Sequence, residues 1–268
     1  MALALGSRAR AAGYGLTAFD AIGSTNAEAL NAVRNGQRQS TWFVTTEQTD
    51  GRGRRQRAWV APRGNLASTV LEVIDAPPPV AATLGFAAGL ALEQALRNVS
   101  IEALARGGAS VDYTLKWPND VLGNKQKLSG ILLEAEALAD NHLAVVVGIG
   151  TNVIAAPEGT PYPATSLRAL GVEVGAEDVF AALSDAWAEC FGIWNSGRGF
   201  GEIRRLWLER AAGLGEPVSI QSGSSTVIGT FETIDEVGCM VIVTPSGARE
   251  TIAAGDVYFG TAGSTGSR

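Results

Sequence analysis

Two long apolar runs lie next to each other between residues 127 and 153, and they constrain the fold more than any other feature. The runs read KLSGILLEAEAL and HLAVVVGIGTNV, and only the residues Ala-Asp-Asn separate them. Runs of this kind are typical of strands buried on both faces, and a short polar turn between two of them predicts an antiparallel hairpin. We therefore expect this hairpin to lie inside the protein, as part of a covered sheet.

The sequence around this hairpin alternates predicted strands with predicted helices. In FDAIGSTNAEALNAV, a helix is expected with one of Ser24, Thr25 and Asn26 as its N-cap. Apolar spacing and β-branched runs predict strands at 40–48 and 64–74, a strand ending in a Pro-Asn-Asp turn in YTLKWPNDVL, and helices at about 80–97, 176–195 and 199–212. Residues 1–16 are expected to be a weakly ordered lead-in, and 104–112 and 154–166 to be loops.

The pattern changes after residue 213. Residues 217–260 contain short alternating strands, PVSIQ, STVIGTFETI, CMVIVTP and RETIAAGDVYF, separated by glycine or acidic turns. That spacing predicts a small β barrel. We therefore predict an α+β domain over 1–213, a small all-β domain over 214–262 and a flexible tail over 263–268.

Composition excludes several classes of function. The formal net charge of −6 argues against broad binding to nucleic acid or to an anionic membrane, because both favour a basic surface. No segment is expected to span a membrane, and Cys190 and Cys239 form no disulfide pattern, which together predict a cytoplasmic protein. His142 is the only histidine, so most histidine-based mechanisms are disfavoured. Chemistry that runs by charge neutralisation and positioning, as in phosphoryl or adenylyl transfer, fits this composition better.

Residues 51–57, GRGRRQR, place four arginines and two glycines in one short segment, which we call the arginine loop. Taken alone, it is consistent with a nucleic-acid arm, a solvated surface loop or a flexible clamp for a small anionic ligand. Arginine matches phosphate or carboxylate oxygens with a planar fork, and glycine lets the backbone approach a ligand closely. The only aromatic residue nearby is Trp59, whereas single-strand binders usually interleave stacking aromatics with their charges.

Three further motifs contain polar side chains at strand ends. KWPND (116–120) presents Asn119 and Asp120 in a turn, and KLSG (127–130) begins an apolar strand with Lys127. An ammonium at that position is unusual unless it faces a site, where it would neutralise anions that otherwise repel each other. GIGTN (148–152) ends a buried strand with two glycines that would admit a flat ring, and with Asn152 to read the edge of that ring.

In order and spacing, these motifs resemble the biotin protein ligases. The resemblance rests on STN, EQTDGRGRRQRAW, GNLASTVLE, KWPND, KLSG and GIGTN, followed by the small barrel, and it runs from about Phe19 to Phe259. It implies a catalytic domain with a mixed sheet related to class II aminoacyl-tRNA synthetases, followed by an SH3-like barrel. The implied reaction uses ATP and Mg²⁺ to activate biotin as biotinyl-5′-AMP. The biotinyl group then passes to a lysine of a biotin carboxyl carrier domain.

The resemblance also implies roles for individual residues. It assigns biotin contacts to Ser24, Thr25, Asn26, Gln48, Gly51, Arg52, Lys127 and Gly130. It assigns ATP and adenylate contacts to Arg52, Arg54, Arg55, Trp59, Lys116, Asn119, Asp120, Gly148, Gly150 and Asn152. Lys127, Arg54 and Asp120 are the implied catalytic residues. Mg²⁺ is expected to be held through phosphates, with Asp120 as the one candidate protein ligand, and the 154–166 loop is expected to cover adenine.

Two alternatives stay open from the sequence. The first is a lipoate- or octanoate-protein ligase of the same superfamily. The second, from a different class, is a non-enzymatic module that binds RNA or a peptide through its barrel and the arginine loop. Fewer than 20 residues precede FDAIGSTN, so a monofunctional ligase without an N-terminal DNA-binding domain is expected. The expected oligomeric state is a monomer or a homodimer.

Overall fold

A computed structural model describes residues 2–105, 107, 110–139, 141–160, 162–222 and 225–259. The predicted flexible tail over 263–268, and the last residues of the predicted all-β domain, lie outside these ranges.

The N-terminal part of the chain is built on a seven-stranded mixed sheet. Its strands are β1 Gly15–Phe19, β2 Thr41–Thr45, β3 Leu66–Ile74, β4 Tyr113–Lys116, β5 Asp120–Gly123, β6 Gln126–Ala137 and β7 Leu143–Thr151. Their order across the sheet is β1-β2-β3-β7-β6-β5-β4, and β1 runs parallel to β2 while the other neighbours are antiparallel. The predicted hairpin is confirmed as β6 and β7, and β7 lies in the middle of the sheet.

Helices cover both faces of this sheet. They are α1 Ser7–Ala11, α2 Thr25–Arg34, α3 Pro78–Ala82, α4 Leu84–Ala105, α5 Ala176–Trp194 and α6 Phe200–Leu208. Helix α2 packs Ala29 and Val33 against Phe43, Leu71 and Val146 on one face. On the other face, α4 and α5 pack against each other and contribute to the large core. Burial on both faces explains why β7 reads as an almost continuous apolar run.

Residues 7–11 form helix α1 and β1 begins at Gly15, so the expected weakly ordered lead-in is wrong. Helix α1 docks on α5, where the backbone N–H of Gly6 donates to Ser184 Oγ (2.9 Å) and that of Ala9 donates to Asp185 Oδ1 (2.9 Å). Ala9 is fully buried. A five-residue helix has almost no stability by itself, so its order depends on contacts with a distant segment that local sequence patterns do not reveal.

The helix predicted at about 80–97 is longer than expected and is interrupted near Thr83, between α3 and α4. It extends to Ala105, into the predicted 104–112 loop. The whole run Pro78–Ala105 is long and apolar enough to cross a membrane by length and composition alone. However, 72% of its most apolar window is buried inside the protein, as in the core helix of a globular domain. The strand predicted at 40–48 and the helix predicted at 199–212 are both shorter than expected.

The C-terminal part forms a separate antiparallel sheet of five strands. They are β8 Pro217–Ser222, β9 Ser225–Ile234, β10 Met240–Val243, β11 Arg249–Ile252 and β12 Asp256–Phe259, in the order β11-β10-β9-β8-β12. This C-terminal part contacts the N-terminal part directly. Trp117 Nε1 donates to the carbonyl of Gly238 (3.1 Å), and Arg204 donates to the carbonyl of Ile234 (2.9 Å).

Candidate active site

A cavity of about 360 Å³ opens where the mixed sheet, the arginine loop and the C-terminal sheet meet. Every residue that the resemblance assigned to a ligand lines this cavity, except Gly51 and Arg55. The cavity is also lined by residues of the 154–166 loop, which was expected to cover adenine, and of strand β12, which no sequence motif had indicated. These include Glu158, Thr160, Tyr162, Asp256 and Tyr258.

Lys127 and Asp120 form an ion pair in this cavity, with Nζ 2.7 Å from Oδ1. A β-bulge brings them together. Asp120 pairs with Gly130, whereas Leu122 pairs with Lys127, because the register of β5 on β6 shifts between Val121 and Leu122. Residues three apart on a regular strand face opposite sides, and the bulge reverses this, so Lys127 shares a side with Gly130 and Asp120.

The ion pair does not use all of the acceptor capacity of Asp120. Its Oδ1 lies 2.7 Å from the Lys127 ammonium, makes no hydrogen bond of regular geometry among the described residues, and as a carboxylate oxygen can accept a further bond. The Lys127 ammonium also lies 5.7 Å from the centre of the Trp59 ring. A partly exposed cation, a carboxylate oxygen with unused acceptor capacity and an aromatic face therefore surround one point of the cavity.

Arg54 lies across the cavity, where its guanidinium donates to Asn119 Oδ1 (2.9 Å). The amide of Asn119 is itself fixed, because Nδ2 donates to the carbonyl of Ile131 (2.7 Å). Burial lowers the pKa of Arg54, and the carboxylates of Asp256 and Asp120 oppose that shift. Asn119 thus orients Arg54, which is one of the three residues that the resemblance implied to be catalytic.

Arg55 does not point into the cavity, although it was predicted to contact the adenylate. Its backbone is left-handed (φ 54°), and Nη1 lies 3.3 Å from Asp256 Oδ2 in the C-terminal sheet. The neighbouring Arg57, which the sequence analysis had not assigned, donates to the same oxygen at 2.8 Å. Burial alone would raise the pKa of Asp256, but the hydrogen bond from Arg57 and the surrounding arginines lower it overall.

The side of the cavity predicted to hold biotin is an ordered hydrogen-bond network. Ser24 caps α2 as predicted, by accepting from the N–H of Ala27. Gln48 Oε1 accepts from the N–H of Thr25 (2.9 Å). The buried hydroxyl of Thr69 lies 2.8 Å from Thr25 Oγ1 and 2.7 Å from Asn26 Oδ1.

Glu134 completes this network by accepting from Asn26 Nδ2 at 2.8 Å. Sequence reasoning missed both Thr69 and Glu134. They lie inside strands β3 and β6, where a polar residue within a largely apolar strand was the only available signal. Together they fix the orientation of the Asn26 amide, so its lone pairs and protons have defined directions.

The glycines of the site leave space for the protein's own side chains. A Cβ on Gly148 would overlap Asn26 Oδ1, and a Cβ on Gly150 would lie 2.5 Å from Trp59 Nε1. The indole of Trp59 therefore occupies the space next to Gly150. Gly51 is buried against the Trp59 carbonyl and the Gln48 side chain, which explains why it does not line the cavity.

Lys116 is nearly buried, with 6% of its surface exposed, and it faces aromatic rings. Its ammonium lies 3.6 Å from the ring centre of Tyr162 in the 154–166 loop and 5.9 Å from that of Tyr258 on β12. Burial lowers the pKa of Lys116 to about 8, although Asp120 acts in the opposite direction. The two aromatic residues come from segments far from Lys116 in sequence, so no local motif identifies them.

Two further buried polar atoms at the cavity have no hydrogen-bond partner in the part of the chain that the structure describes. They are Trp59 Nε1 and Asn152 Oδ1. The other side of the Asn152 amide is held, because Nδ2 donates to the carbonyl of Thr165 (3.1 Å). An unpaired buried polar atom carries a free-energy cost, and a ligand that supplies the missing partner removes it.

Among the described residues, no group of three His, Cys, Asp or Glu side chains could hold a metal ion. That does not conflict with Mg²⁺, which usually keeps several waters and binds through one or two carboxylates together with substrate phosphates. Asp120 fits such a position, since Oδ1 has unused acceptor capacity and the cationic side chains around it accommodate phosphates.

Both parts of the chain match known protein families. Residues 18–152 match the Biotin/lipoate A/B protein ligase family, and residues 213–260 match the Biotin protein ligase C terminal domain. The two matched regions correspond to the mixed sheet and to the C-terminal sheet.

Similar proteins extend over nearly the whole chain. A biotin–[acetyl-CoA-carboxylase] ligase of Paracoccus denitrificans is 40% identical over 243 residues, covering 88% of this chain and 97% of that protein. A ligase of the same description from Mycobacterium tuberculosis is 32% identical, with 92% and 90% covered. The structure of Aquifex aeolicus biotin protein ligase with biotin and ATP superimposes with a TM-score of 0.71, at 25% identity and with 91% and 97% covered. The chain therefore belongs to the biotin protein ligases of the biotin/lipoate A/B protein ligase family.

Proposed function

We propose that this protein is an ATP-dependent ligase that converts biotin to biotinyl-5′-AMP and transfers the biotinyl group to a lysine of a biotin carboxyl carrier domain. The observation that carries the proposal is the ion pair of Lys127 and Asp120, 2.7 Å apart in the same cavity as the Arg54–Asn119 hydrogen bond. The similar proteins support it, since their names describe biotin ligases of acetyl-CoA carboxylase.

In the first step, a biotin carboxylate oxygen attacks the α-phosphorus of ATP. The bond from the α-phosphorus to the bridging oxygen breaks, and pyrophosphate leaves with the electron pair. No general base is needed, because the nucleophile is already an anion. The main barrier is the approach of two negative groups, which Lys127 and Arg54 lower by fixed positive charge. Bound Mg²⁺ would supply further positive charge to the phosphates, with Asp120 as the candidate ligand.

In the second step, the amine of the carrier lysine attacks the acyl carbon of the adenylate. The bond from that carbon to the phosphate oxygen breaks, and AMP leaves. The attacking nitrogen must lose a proton, and Asp120 is the candidate acceptor because its carboxylate lies in the wall of the same cavity. Lys127 then stabilises the AMP phosphate as it departs.

The polar network at the start of α2 supports biotin over lipoate. The ureido ring of biotin carries two N–H donors and one carbonyl acceptor, whereas the dithiolane ring of lipoate has no comparable groups. Ser24, Thr25 and Gln48 place hydroxyl, backbone and amide groups at this end of the cavity. A site built to hydrogen-bond a substrate rejects an analogue that lacks those groups by a large factor. The lipoate alternative is therefore not favoured.

Several finer features belong to the same proposal. The catalytic domain over 1–213 would be related to class II aminoacyl-tRNA synthetases, and 214–262 would form an SH3-like barrel. The individual ligand contacts assigned from the resemblance remain proposals, as does a cytoplasmic location without nucleic-acid or membrane partners. The family resemblance supports each of these, and either a monomer or a homodimer is compatible with them.

The test is pyrophosphate release by the purified protein with ATP and either biotin, lipoate or octanoate. We expect release only with biotin, followed by labelling of a carrier domain at one lysine. Activity with lipoate and none with biotin would contradict the proposal. A salt-sensitive RNA affinity that survives Lys127→Ala, without any pyrophosphate release, would instead favour the non-enzymatic module.

A further inference from the structure

We propose that Asp256 is a positioning residue that holds the arginine loop closed over the cavity, and that this contact prolongs retention of the bound adenylate. The statement about retention rests on the proposed function. The statement about loop closure does not, because it concerns a contact between two parts of the chain itself.

The contact joins the C-terminal sheet to the arginine loop. Asp256 is the first residue of β12 and lines the cavity. Its Oδ2 is 2.8 Å from Arg57 Nη2 and 3.3 Å from Arg55 Nη1. One carboxylate oxygen therefore interacts with two arginines of the loop, on either side of position 56.

The backbone of the loop transmits this restraint to Arg54. The N–H of Gly53 donates to the carbonyl of Arg57 (2.7 Å), and the N–H of Trp59 donates to the carbonyl of Gly51 (2.8 Å). Arg52 and Ala58 form a β-bridge, so the loop is a small closed hairpin. Arg54 is held from the other side by Asn119, and the loop is thus attached to both sheets.

Two features of the loop oppose this closed arrangement. Arg55 has a left-handed backbone (φ 54°), which is unfavourable for a residue other than glycine, asparagine or aspartate. In addition, the four arginines of the loop repel each other. Asp256 is the carboxylate that contacts two of them directly. Replacing it with a neutral residue would remove this attraction, but not the backbone strain at Arg55 or the repulsion among the arginines.

The expected size of the effect is moderate. Exposed ion pairs contribute little, and the Arg57 and Arg55 side chains are 63% and 42% exposed. Asp256 is less exposed, at 26%, and it interacts with two arginines at once. We therefore expect the loss of the Asp256 carboxylate to increase the equilibrium constant for loop opening about 5- to 10-fold. That change corresponds to about 1 kcal/mol, as for a partly buried ion-pair network.

The first measurement is hydrogen exchange of the peptide covering residues 51–59 in the full chain, without added ligand. Asp256→Asn should raise the exchange rate of the Gly53, Arg57 and Trp59 amides about 5- to 10-fold, and Asp256→Glu should restore part of the protection. Glu232→Gln is the matched control, because it removes an acid from the same sheet, where Glu232 pairs with Arg249 (2.6 Å). If Asp256→Asn fails to fold, Arg57→Gln tests the same contact from the loop.

The second measurement is the rate at which synthetic biotinyl-5′-AMP leaves the protein. Adding the intermediate directly removes any dependence on its synthesis. Asp256→Asn should shorten its residence about 5- to 10-fold, and Glu232→Gln should leave it unchanged. Unaltered loop exchange, or unaltered release, in Asp256→Asn would overturn the inference. Failure of the native protein to bind biotinyl-5′-AMP would overturn the proposed function and the retention statement, while loop exchange would still decide the contact.

Discussion

The ammonium of Lys127 lies 2.7 Å from Asp120 Oδ1, across two adjacent strands that a β-bulge brings into this register. The bulge puts a cation and a carboxylate on the same side of the sheet, in the wall of the cavity. An arrangement of this kind suits a reaction in which two anions must meet and a proton must later be removed.

Replacing Lys127 with glutamine should lower biotin-dependent pyrophosphate release by about 10²- to 10³-fold, the loss usual for a group that stabilises charge in the transition state. The measurement is single-turnover pyrophosphate release at saturating ATP. Lys125→Gln is the matched control, since Lys125 is exposed in the turn between β5 and β6 and its replacement should leave the rate unchanged. A Lys127→Gln protein with full activity would rule out the assigned role.

Replacing Arg54 with glycine should leave adenylate synthesis possible but let the adenylate escape. Arg54 reaches into the cavity and is held by Asn119 at 2.9 Å, so its loss removes a charge from the phosphate side of the site. Mass spectrometry should then detect biotin on bystander lysines of a protein mixed with the enzyme. Arg63→Gln, which changes an exposed arginine paired with Glu47, serves as the control. Labelling confined to the carrier lysine would contradict the clamp role.

Replacing Gly148 with alanine should raise the KM for biotin by at least about 10-fold. The added methyl group would overlap the Asn26 amide, which Thr69 and Glu134 hold in one orientation, and breaking buried hydrogen bonds costs about 1–3 kcal/mol each. Gly192→Ala introduces the same group into open space on α5 and should leave kinetics unaffected. An unchanged KM in Gly148→Ala would show that Asn26 does not position biotin.

The affinity for ATP should fall as the pH rises through about 8. Burial lowers the pKa of Lys116 from its ordinary value to about 8, so this ammonium is charged below that pH and neutral above it. Phosphate binds the charged form more tightly, which sets the direction of the effect. In Lys116→Met, ATP affinity should be lower at pH 7, and the change between pH 7.5 and 9 should be reduced. Equilibrium binding of ATP measures both, and an identical pH dependence in the variant would contradict the assignment.

The same shift predicts the effect on stability. The folded-state pKa of Lys116 is below the unfolded value of 10.5, so the unfolded chain binds more protons between about pH 8 and 10.5. This residue alone should therefore make the folded state more stable as the pH rises through that range. Chemical denaturation of the native protein and of Lys116→Met, at pH 7.5 and 9.5, isolates this contribution by difference.

Local patterns were sufficient for the elements whose contacts are close in sequence. The β6–β7 hairpin follows from two apolar runs and a short turn, and the Ser24 cap follows from a polar residue before an alanine-rich helix. Local patterns did not predict helix α1. Its order depends on contacts with α5, where the backbone N–H groups of Gly6 and Ala9 donate to side chains. Its order depends on a partner more than 170 residues away in sequence, and no local propensity encodes that partner.

The sequence by itself determined the order and spacing of the motifs, because glycine, arginine and strand periodicity act locally, and the family resemblance carried by those motifs implied that their residues share one site. Only the tertiary structure decided which arginines face the cavity. Arg54 lines it and donates to Asn119, and Arg57 lines it while donating to Asp256 of the C-terminal sheet, whereas Arg55 contacts the same carboxylate without lining the cavity. Likewise, Lys116 acquires its shifted pKa from burial beside Tyr162 and Tyr258, which come from separate segments. Side-chain direction and desolvation depend on distances in the folded chain, and sequence spacing does not specify them.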